Sequence, residues 1–377
     1  MADVVSAAQR RVVALAAGGT GGHLFPAEAL ARELMTRGHA VVIYTERRGA
    51  AYAQALAGIP HCVLPARSLA GGIVGKAAAA ATILRAAVQA RADMRRRGVG
   101  AIVGFGGYPS FAPALAGKSL GLPLLLHEQA TRMSLANRQL LRLADGVAAS
   151  FDDVAGLDGF DPRRVVVTGN PVRQAILDAR GPYPPLADGA PLRVLVVGGS
   201  QSARVFGEVV PPAVLALPDA WRRRLALSLQ YRGDDADAVA SRLRDAGVAV
   251  DIRPFFDDMG TRLREAHLVI ARAGATTAAD LLAIGRPAIF VPIPQGGSRE
   301  EQLRNAQSLA AAGVGWCVEE RDFQPATLAA RLEALLSSPT ALPEAAAIAA
   351  GLGRPDAAAR LADVVEGLAG EARSARG

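Results

Sequence analysis

A glycine-rich loop between an apolar strand and a helix is the feature that most constrains the fold of this chain. It lies in residues 11–38, RVVALAAGGTGGHLFPAEALARELMTRG. The apolar run VVALAA is typical of a parallel strand covered on both faces, and the glycines allow a sharp turn and a close approach to a ligand. Pro26 suits the first helical turn and Gly38 suits the helix end. His23 therefore lies beside a helix N-terminus, where α/β proteins bind phosphates and carry out chemistry.

Strand and helix patterns alternate along the whole chain, which predicts the α/β class with doubly wound parallel sheets. Residues 178–191 are rich in proline and glycine without a period, which indicates an interdomain linker. The pattern restarts after it, so we expect two Rossmann-like domains facing a cleft, at residues 1–177 and 192–354. We expect a C-terminal helix at residues 355–377 to pack back on the first domain.

Composition indicates a folded protein with an anionic partner. Hydrophobic residues make up 51% and charged residues 20% of the chain, which excludes a disordered protein. The net charge of +7 favours nucleic acid, lipid headgroups or phosphorylated substrates, unless it reflects only arginine-rich codon usage. No nucleic acid is expected, because the charge is dispersed and no aromatic-basic motif is visible.

Cysteine usage and hydropathy favour a reducing cytoplasm. Cys62 and Cys317 lie far apart without a CxxC partner, so neither a disulfide framework nor a zinc site is expected. Residues 1–10 are polar and do not resemble a signal peptide. The longest weakly polar stretch, residues 69–84, contains Lys76 and is not expected to span a membrane.

Three glycine loops each follow a predicted strand, at residues 18–22, 104–107 and 198–199. Loops at the carboxyl ends of parallel strands converge on one crevice, which in a two-domain chain is the cleft between the domains. The first loop lacks the dinucleotide fingerprint, because Leu24 stands where a third glycine is needed, and no P-loop lysine follows. It is therefore a ligand loop of another class, or a tight turn only.

Eight motifs occur in an order that resembles the MurG family of bacterial glycosyltransferases. They are GGTGGHLFP, GFGGYP, HEQ, GNPVR, GGSQxAR, FFDDM, ARAGATT and GRPAIFVP, within about residues 11–365. The resemblance implies the GT-B fold, in which two Rossmann-like domains bind the acceptor and the donor respectively. It also implies inverting transfer of N-acetylglucosamine from UDP-GlcNAc to the muramyl 4-hydroxyl of undecaprenyl-linked lipid I, giving lipid II for peptidoglycan synthesis.

The same resemblance implies where the protein acts and with what. A peripheral enzyme at the cytoplasmic face of the bacterial inner membrane is expected, with an anionic membrane surface as a partner. Other cell-wall synthesis or division proteins are further candidate partners. Neither a metal ion nor another cofactor is expected.

The reacting hydroxyl needs a base, and His23 is the first candidate. An imidazole with an ordinary pKa of about 6.5 can take the proton at neutral pH, although His23 can equally be hydrogen-bonded within the turn. Tyr108, His127 and Glu128 are rival catalytic residues or acceptor ligands, and Glu128 can also serve only to orient His127. The resemblance implies an acceptor site formed by Gly18, Gly19, Gly106, Gly107 and Tyr108.

The loop that begins at Gly198 suits a diphosphate, through backbone N–H groups and the Ser200 hydroxyl. Asp280 stands where the family has a glutamate for the ribose hydroxyls, and a carboxylate can accept from a diol. Structural alternatives are an exposed ion pair for Arg173, core packing for Phe256 and a polar helix face for Asp280. The donor site implied by the resemblance consists of Thr20, Gly21, Gly22, Arg173, Gly199, Ser200, Gln201, Phe256, Arg272, Gly274, Ala275, Thr276, Asp280, Gln302 and Asn305.

Several residues near the implied donor site depart from the family pattern. They are Ala130, Ser202, Ala273, Asp280 and Glu301. A negatively charged Glu301 would be unfavourable beside a sugar and a diphosphate. The departures leave two alternatives open: a divergent paralogue that uses another nucleotide sugar or acceptor, and a non-catalytic scaffold of envelope synthesis.

Two further patterns each allow two interpretations. Asp235 and Asp237 match the DxD pattern of metal-dependent glycosyltransferases, but they open a polar helix and are predicted to be helix N-terminal carboxylates. Apolar residues flanked by cations predict contact with anionic lipid, with a core face and a solvated helix end as the alternative. The apolar residues are Leu69, Ile73, Val74, Ile83 and Leu84, and the cations are Arg67, Lys76, Arg85, Arg91 and residues 95–97.

Overall fold

The computed structural model describes residues 11–19, 21–67, 72–186, 189–199, 204–294 and 299–374. These residues divide into two compact units, one formed by residues 11–173 with 355–374 and the other by residues 174–354. Each unit contains one parallel sheet with helices around it. The predicted fold class of two doubly wound α/β units is therefore confirmed.

The described residues form the following strands and helices. The strands are β1 (Val12–Ala16), β2 (Ala40–Thr45), β3 (His61–Val63), β4 (Val99–Gly104), β5 (Leu124–Glu128), β6 (Gly146–Ala149), β7 (Val165–Val167), β8 (Leu192–Val197), β9 (Leu225–Gln230), β10 (Ala249–Arg253), β11 (Leu268–Ala271), β12 (Ala288–Phe290) and β13 (Gly315–Cys317). The helices are α1 (Gly21–Thr36), α2 (Arg47–Ala50), α3 (Ala53–Leu56), α4 (Ile73–Arg97), α5 (Phe111–Ser119), α6 (Leu135–Leu140), α7 (Gln174–Leu177), α8 (Arg204–Leu215), α9 (Asp219–Arg222), α10 (Ala236–Asp245), α11 (Met259–Glu265), α12 (Ala275–Ile284), α13 (Arg299–Ala311), α14 (Pro325–Ser337), α15 (Ala341–Leu352) and α16 (Ala357–Ser374).

The sheet of the first unit has the strand order β3-β2-β1-β4-β5-β6-β7, with parallel pairing throughout. Side chains of β1 alternate between its two faces: Val13 and Leu15 belong to one hydrophobic cluster, and Ala14 belongs to the other. Both faces are therefore apolar, which explains the uninterrupted apolar run of this strand. The carboxyl ends of β2, β1, β4 and β5 follow one another along one edge of the sheet.

Helix α1 begins at Gly21, so Pro26 lies inside the helix and not in its first turn as predicted. That prediction is wrong because the proline removes only one hydrogen bond near the start, and the buried leucines of α1 offset the loss. The helix end is as predicted, since Gly38 has a φ of +87°. The early start places His23 in the first turn of α1.

Helix α16 packs against α1 within the first unit. The guanidinium of Arg37 donates to Asp363 at 2.6 Å and to Glu366 at 3.0 Å. His39 Nε2 lies 2.8 Å from another oxygen of Glu366. Leu361 is fully buried in the cluster that also contains β1. These contacts attach the end of the chain to the helix that carries His23.

Helix α4 ends at Gly98, which adopts the left-handed conformation with a φ of +66°, as expected for a glycine after a helix. Leu84 and Val88 of this helix expose 67% and 61% of their surface. Among the residues that the structure describes, no helix is both long and apolar enough to cross a bilayer.

The sheet of the second unit has the strand order β10-β9-β8-β11-β12-β13, again with parallel pairing. Its first helix, α7, packs against α11 and α12, so the division between the units falls after Arg173. The local composition predicts this division four residues later, after residue 177. Contacts made by α7 with distant helices, which no local pattern reveals, account for the difference.

Much of the predicted linker is attached to the second unit. The buried guanidinium of Arg286 donates to the carbonyl of Pro182 at 3.2 Å. Tyr183 donates to the carbonyl of His267 at 3.0 Å, and Arg180 donates to the carbonyl of Ala283 at 2.9 Å. Residues 180–183 are therefore an ordered arm of the second unit, while residues 187 and 188 lie outside the described part of the chain.

Candidate functional site

Two glycine loops of the first unit lie side by side because their strands, β1 and β4, are neighbours in the sheet. The N–H of Phe105 and the hydroxyl of Ser110 both donate to the carbonyl of Ala16, at 2.9 and 3.1 Å. Gly107 has a φ of +73°, and a Cβ atom there would lie 3.4 Å from the His23 ring. That distance is an ordinary van der Waals contact, so it is the positive φ of Gly107, next to the histidine of the first loop, that favours glycine at this position.

A buried carboxylate outside the predicted site holds the first loop. Glu46, at the end of β2, accepts the N–H of Gly19 at 3.1 Å and that of Arg48 at 2.7 Å. Only 6% of its surface is exposed. Glu46 is not among the residues predicted from the sequence, where the available signal is an acidic residue directly after a buried strand.

His23 is half-buried in the first turn of α1. Its Nδ1 atom lies 3.2 Å from Oε1 of Gln129. Burial lowers the pKa of His23 below its usual value, and the hydrogen bonds to Gln129 and to the backbone carbonyl of Phe105 oppose part of this shift. The imidazole is therefore neutral at neutral pH, which is the form that can accept a proton.

His127 is fully buried, with both ring nitrogens in hydrogen bonds. Nε2 lies 3.2 Å from the carbonyl of Gly169, and Nδ1 lies 3.0 Å from Nε2 of Gln129. The ring also packs against Phe105, with the centroids 5.2 Å apart. Burial lowers the pKa of His127 to about 4. These contacts favour a supporting role for His127 over direct contact with a substrate.

Glu128 is 1% exposed and bonds to the segment that follows it. It accepts from the N–H of Ser134 at 2.8 Å and from the side-chain amide of Asn137 at 2.9 Å. Burial raises the pKa of Glu128, while these donors lower it. The same Asn137 amide donates to the carbonyl of His127 at 3.0 Å. Glu128 and Asn137, the second missed by the sequence analysis, therefore shape the turn after β5.

Tyr108 and Arg173 complete the polar candidates of the first unit. Tyr108 is half-buried at the start of a short 3-10 helix, Tyr108–Ser110, directly after Gly107. The Arg173 guanidinium lies 4.2 Å from the ring centroid of Phe25, which is two residues after His23 on α1. This stacking brings Arg173, which is half-buried, to the same helix terminus as the histidine.

The structure describes some of the remaining predicted residues and not others. Gly18 and Gly106 lie in the two neighbouring loops, and Gly21 and Gly22 are the first residues of α1. Thr20, Ser200, Gln201 and the divergent Ser202 lie outside the described residues.

In the second unit, the glycine loop after β8 lies beside the end of β9. Gly199 has a φ of +70°, which favours glycine. The N–H of Gly198 donates to Oε1 of Gln230 at 3.3 Å, and the Gln230 amide is 3.4 Å from the carbonyl of Pro254. Gln230 was not predicted as a site residue; like Glu46 in the first unit, it is a polar side chain at the end of a neighbouring strand.

Arg272 joins the carboxyl ends of three strands. It follows β11 and donates to the carbonyls of Val291 and Pro292 at 3.1 and 3.3 Å, after β12. Its other terminal nitrogen lies 2.5 Å from Glu320, after β13. The guanidinium also lies 5.3 Å from the ring centroid of Phe206. Arg272 therefore supports the loops of this edge.

The turn after Arg272 leads into α12. Gly274 is the N-cap residue and provides no side-chain hydrogen bond to the helix, which begins at Ala275 with Thr276 beside it. Backbone N–H groups at such a helix start can bind phosphate. Asp280 lies further along α12 and is only 7% exposed, so it does not belong to a solvated helix face.

Helix α13 carries two further predicted donor residues, Gln302 and Asn305. The amide of Asn305, fully buried, donates to the carbonyl of Ala273 at 3.1 Å. Gln302 accepts the N–H of Ile293 at 3.2 Å.

Phe256, another predicted donor residue, lies between β10 and α11. Its side chain is 1% exposed, and the Arg262 guanidinium lies 3.9 Å from its ring centroid, which favours core packing for the side chain.

Three of the five residues that depart from the family pattern have a local structural explanation. Ala130 and Ala273 are buried, where a larger polar side chain would need space and partners. Glu301 lies in the first turn of α13, where a helix N-terminus favours a carboxylate.

Asp235 is the N-cap residue of α10 and Asp237 lies in its first turn, as predicted. Asp235 accepts the hydroxyl of Tyr231 at 2.8 Å. Within the described ranges, no group of three or more His, Cys, Asp or Glu side chains could hold a metal ion.

Two descriptions of glycosyltransferase family 28 match the chain, its N-terminal domain at residues 13–149 and its C-terminal domain at residues 193–361. A curated relative from Rhodospirillum centenum is 48% identical over 359 residues, covering 95% of this chain and 94% of the relative. Its name is UDP-N-acetylglucosamine--N-acetylmuramyl-(pentapeptide) pyrophosphoryl-undecaprenol N-acetylglucosamine transferase. A relative of the same name from Granulibacter bethesdensis is 44% identical, covering 98% of this chain and 97% of the relative. The crystal structure of Acinetobacter baumannii MurG matches with a TM-score of 0.75 at 30% identity, covering 95% of this chain and 99% of that chain.

Proposed function

This chain belongs to the MurG family of glycosyltransferases, and we propose that it transfers N-acetylglucosamine from UDP-GlcNAc to the muramyl 4-hydroxyl of undecaprenyl-linked lipid I. The product is lipid II, which is used in peptidoglycan synthesis. The observation that carries the proposal is the similarity to transferases of that name across both units of the chain. Other cell-wall synthesis or division proteins are proposed partners.

His23 is the proposed general base. Its Nε2 atom takes the proton of the muramyl 4-hydroxyl as that oxygen attacks C1 of the sugar. The bond from C1 to the diphosphate oxygen breaks, its electron pair leaves with UDP, and the configuration at C1 is inverted. Neutral His23 suits this step because its lowered pKa keeps a lone pair available.

The acceptor site is proposed at the two neighbouring glycine loops of the first unit. Gly18, Gly19, Gly106 and Gly107 supply backbone that a sugar or phosphate can approach closely. Tyr108 is the proposed acceptor ligand next to them. His127 and Glu128 are buried next to these loops, and their polar atoms are already hydrogen-bonded within the unit. We therefore propose that they hold the loops in place and do not contact the acceptor.

We propose that the leaving diphosphate is stabilised by the start of helix α12 and by Arg173. Backbone N–H groups at the start of α12 favour negative charge. Arg173, stacked on Phe25, supplies a guanidinium that can bind a phosphate with two parallel hydrogen bonds. Asp280 is proposed to bind the ribose hydroxyls, with Gln302 and Asn305 near the sugar.

A membrane-facing surface is proposed on α4, with its exposed Leu84 and Val88 next to Arg85. Exposed apolar residues flanked by cations are typical of peripheral binding to anionic lipid. Ile83 is half-buried, while Leu69 and the side chains of Ile73 and Val74 lie outside the described part of the chain. We propose that the enzyme works as a peripheral protein at the cytoplasmic face of the inner membrane.

The test is transfer by the purified full-length chain. UDP-GlcNAc labelled in the sugar is incubated with a lipid I analogue, and labelled lipid II is measured by mass spectrometry. We expect turnover by the wild type and a roughly 10²- to 10⁴-fold loss of kcat in His23→Ala. His61→Ala, at an exposed position, is the matched control. No transfer by the wild type, or turnover only with another nucleotide sugar, would contradict the proposed function.

A further inference from the structure

The side-chain amide of Gln129 has only one orientation that satisfies its neighbours. Its Nε2 atom lies 2.9 Å from the carbonyl oxygen of Phe105 and 3.2 Å from that of His127. Rotating the amide by half a turn would place Oε1 against these two acceptors and leave three oxygens without a proton between them. Nε2 is therefore on the side of the carbonyls, and Oε1 faces His23.

This orientation determines the proton positions on both histidine rings. Oε1 of Gln129 only accepts, so Nδ1 of His23, 3.2 Å away, must carry the proton. On the other side, Nε2 of Gln129 has two N–H groups for three neighbours, so one N–H is shared between the carbonyl and Nδ1 of His127, at 3.2 and 3.0 Å. Because the amide nitrogen has no lone pair to accept a proton, Nδ1 of His127 must be the acceptor. The remaining N–H of His127 is then at Nε2, where the carbonyl of Gly169 accepts it at 3.2 Å. The two neutral rings are opposite tautomers.

We propose that Gln129 is a positioning residue that holds His23 as the Nδ1–H tautomer and leaves the Nε2 lone pair to accept the proton of the acceptor hydroxyl. The catalytic part of this inference rests on the proposed function, whereas the tautomer follows from the hydrogen bonds alone. In the other tautomer, two lone pairs would face each other across 3.2 Å, and Nε2 would be a donor that cannot act as a base.

The burial of this network explains why the tautomer is well defined. Gln129 is 4% exposed and His127 is 0% exposed, so water cannot replace a lost partner without a rearrangement. A neutral amide also orients the ring without placing a charge beside it. After the proton transfer, the Nδ1–H bond to Gln129 is retained, and no group of the network has to move.

The first test is the tautomer itself, read from the imidazole ¹⁵N shifts of the full-length chain. The chain has five histidines, and His23→Gln and His127→Gln variants assign the two that matter. We expect His23 to be protonated at Nδ1 and His127 at Nε2. His267 is an internal reference, because its Nδ1 accepts the N–H of Arg193 at 2.9 Å and its proton must be at Nε2. A wild-type His23 protonated at Nε2 would overturn the inference.

The second test separates positioning from structural support. Gln129→Met keeps the length of the side chain and removes both polar contacts, and Gln324→Met makes the same change at an exposed position. In Gln129→Met we expect mixed protonation of His23, a roughly 10- to 100-fold lower kcat and a donor KM within about twofold of the wild type. Gln324→Met should match the wild type in all three.

The possible results show separately whether the positioning role of Gln129 fails or whether the assignment of His23 as the base fails. Loss of kcat in Gln129→Met with an unaltered His23 tautomer would refute a positioning role, and so would an unaltered kcat when His23→Ala is inactive. If His23→Ala retains full activity, the assigned base is wrong, whatever the tautomer. Should Gln129→Met fail to fold, the wild-type ¹⁵N spectrum still decides the tautomer.

Discussion

The carboxylate of Glu46 accepts the backbone N–H of Gly19 at 3.1 Å, although the two residues are 27 positions apart in the chain. Strands β1 and β2 are paired, so the end of one reaches the loop of the other. The contact anchors the loop that precedes His23 and gives a structural role to a residue outside the family motifs of the sequence.

Replacing Glu46 should therefore disturb the acceptor loop. Glu46→Gln retains one oxygen for two backbone N–H groups, so one of them loses its partner, at a cost of about 1–3 kcal/mol. We expect a lower thermal midpoint and a higher KM for the lipid I analogue. Glu265→Gln, at an exposed position, is the control. An unaltered midpoint together with an unaltered acceptor KM would show that the carboxylate does not hold the loop.

The stacking of Arg173 on Phe25 predicts a second effect. Phe25→Leu keeps an apolar side chain but removes the aromatic face, which contributes about 1 kcal/mol to such a pair. A less well-ordered guanidinium should raise the KM for UDP-GlcNAc roughly fivefold, while kcat changes less. Arg173→Lys should have a larger effect, because an ammonium cannot form the bidentate contact to phosphate. If both variants bind the donor as the wild type does in calorimetry, Arg173 is not a phosphate ligand.

Buried His127 predicts acid sensitivity of the fold. Its pKa is about 4 in the folded protein and about 6.5 in the unfolded chain, so the unfolded chain binds the extra proton between these values. The stabilisation is fully present above pH 6.5 and is lost as the pH falls towards 4, by about 2 kcal/mol at pH 5. His127→Gln should reduce the difference in thermal midpoint between pH 7.5 and pH 5, unlike His61→Gln. An equal pH effect in wild type and His127→Gln would contradict this account.

The exposed apolar pair on α4 predicts binding to anionic lipid. Leu84→Glu combined with Val88→Glu places two carboxylates on the proposed surface, and we expect at least roughly tenfold weaker cosedimentation with vesicles of phosphatidylglycerol and phosphatidylethanolamine. Ile348→Glu combined with Leu352→Glu is the matched control, since these exposed residues have the same spacing on α15. Equal loss in both double variants would argue against a specific surface on α4.

Local patterns predict the two sheets, the glycine loops and the helix ends at Gly38 and Gly98, because periodicity and backbone conformation are properties of neighbouring residues. The motifs likewise identify the family and direct attention to His23. The position of Pro26 was predicted incorrectly, since burial of one helix face outweighs the loss of a single hydrogen bond.

The sequence by itself determined the fold class, the family and the residue proposed as the base. Only the tertiary structure decided what surrounds that base: Glu46 at the preceding glycine loop, Gln129 at Nδ1 and the buried His127 behind it. His23 and Gln129 are 106 positions apart, and they meet because β1, β4 and β5 end at the same edge of a parallel sheet. The strand order that creates these contacts, and with them the tautomer of His23, is set by packing across the whole unit and is not encoded in any local pattern.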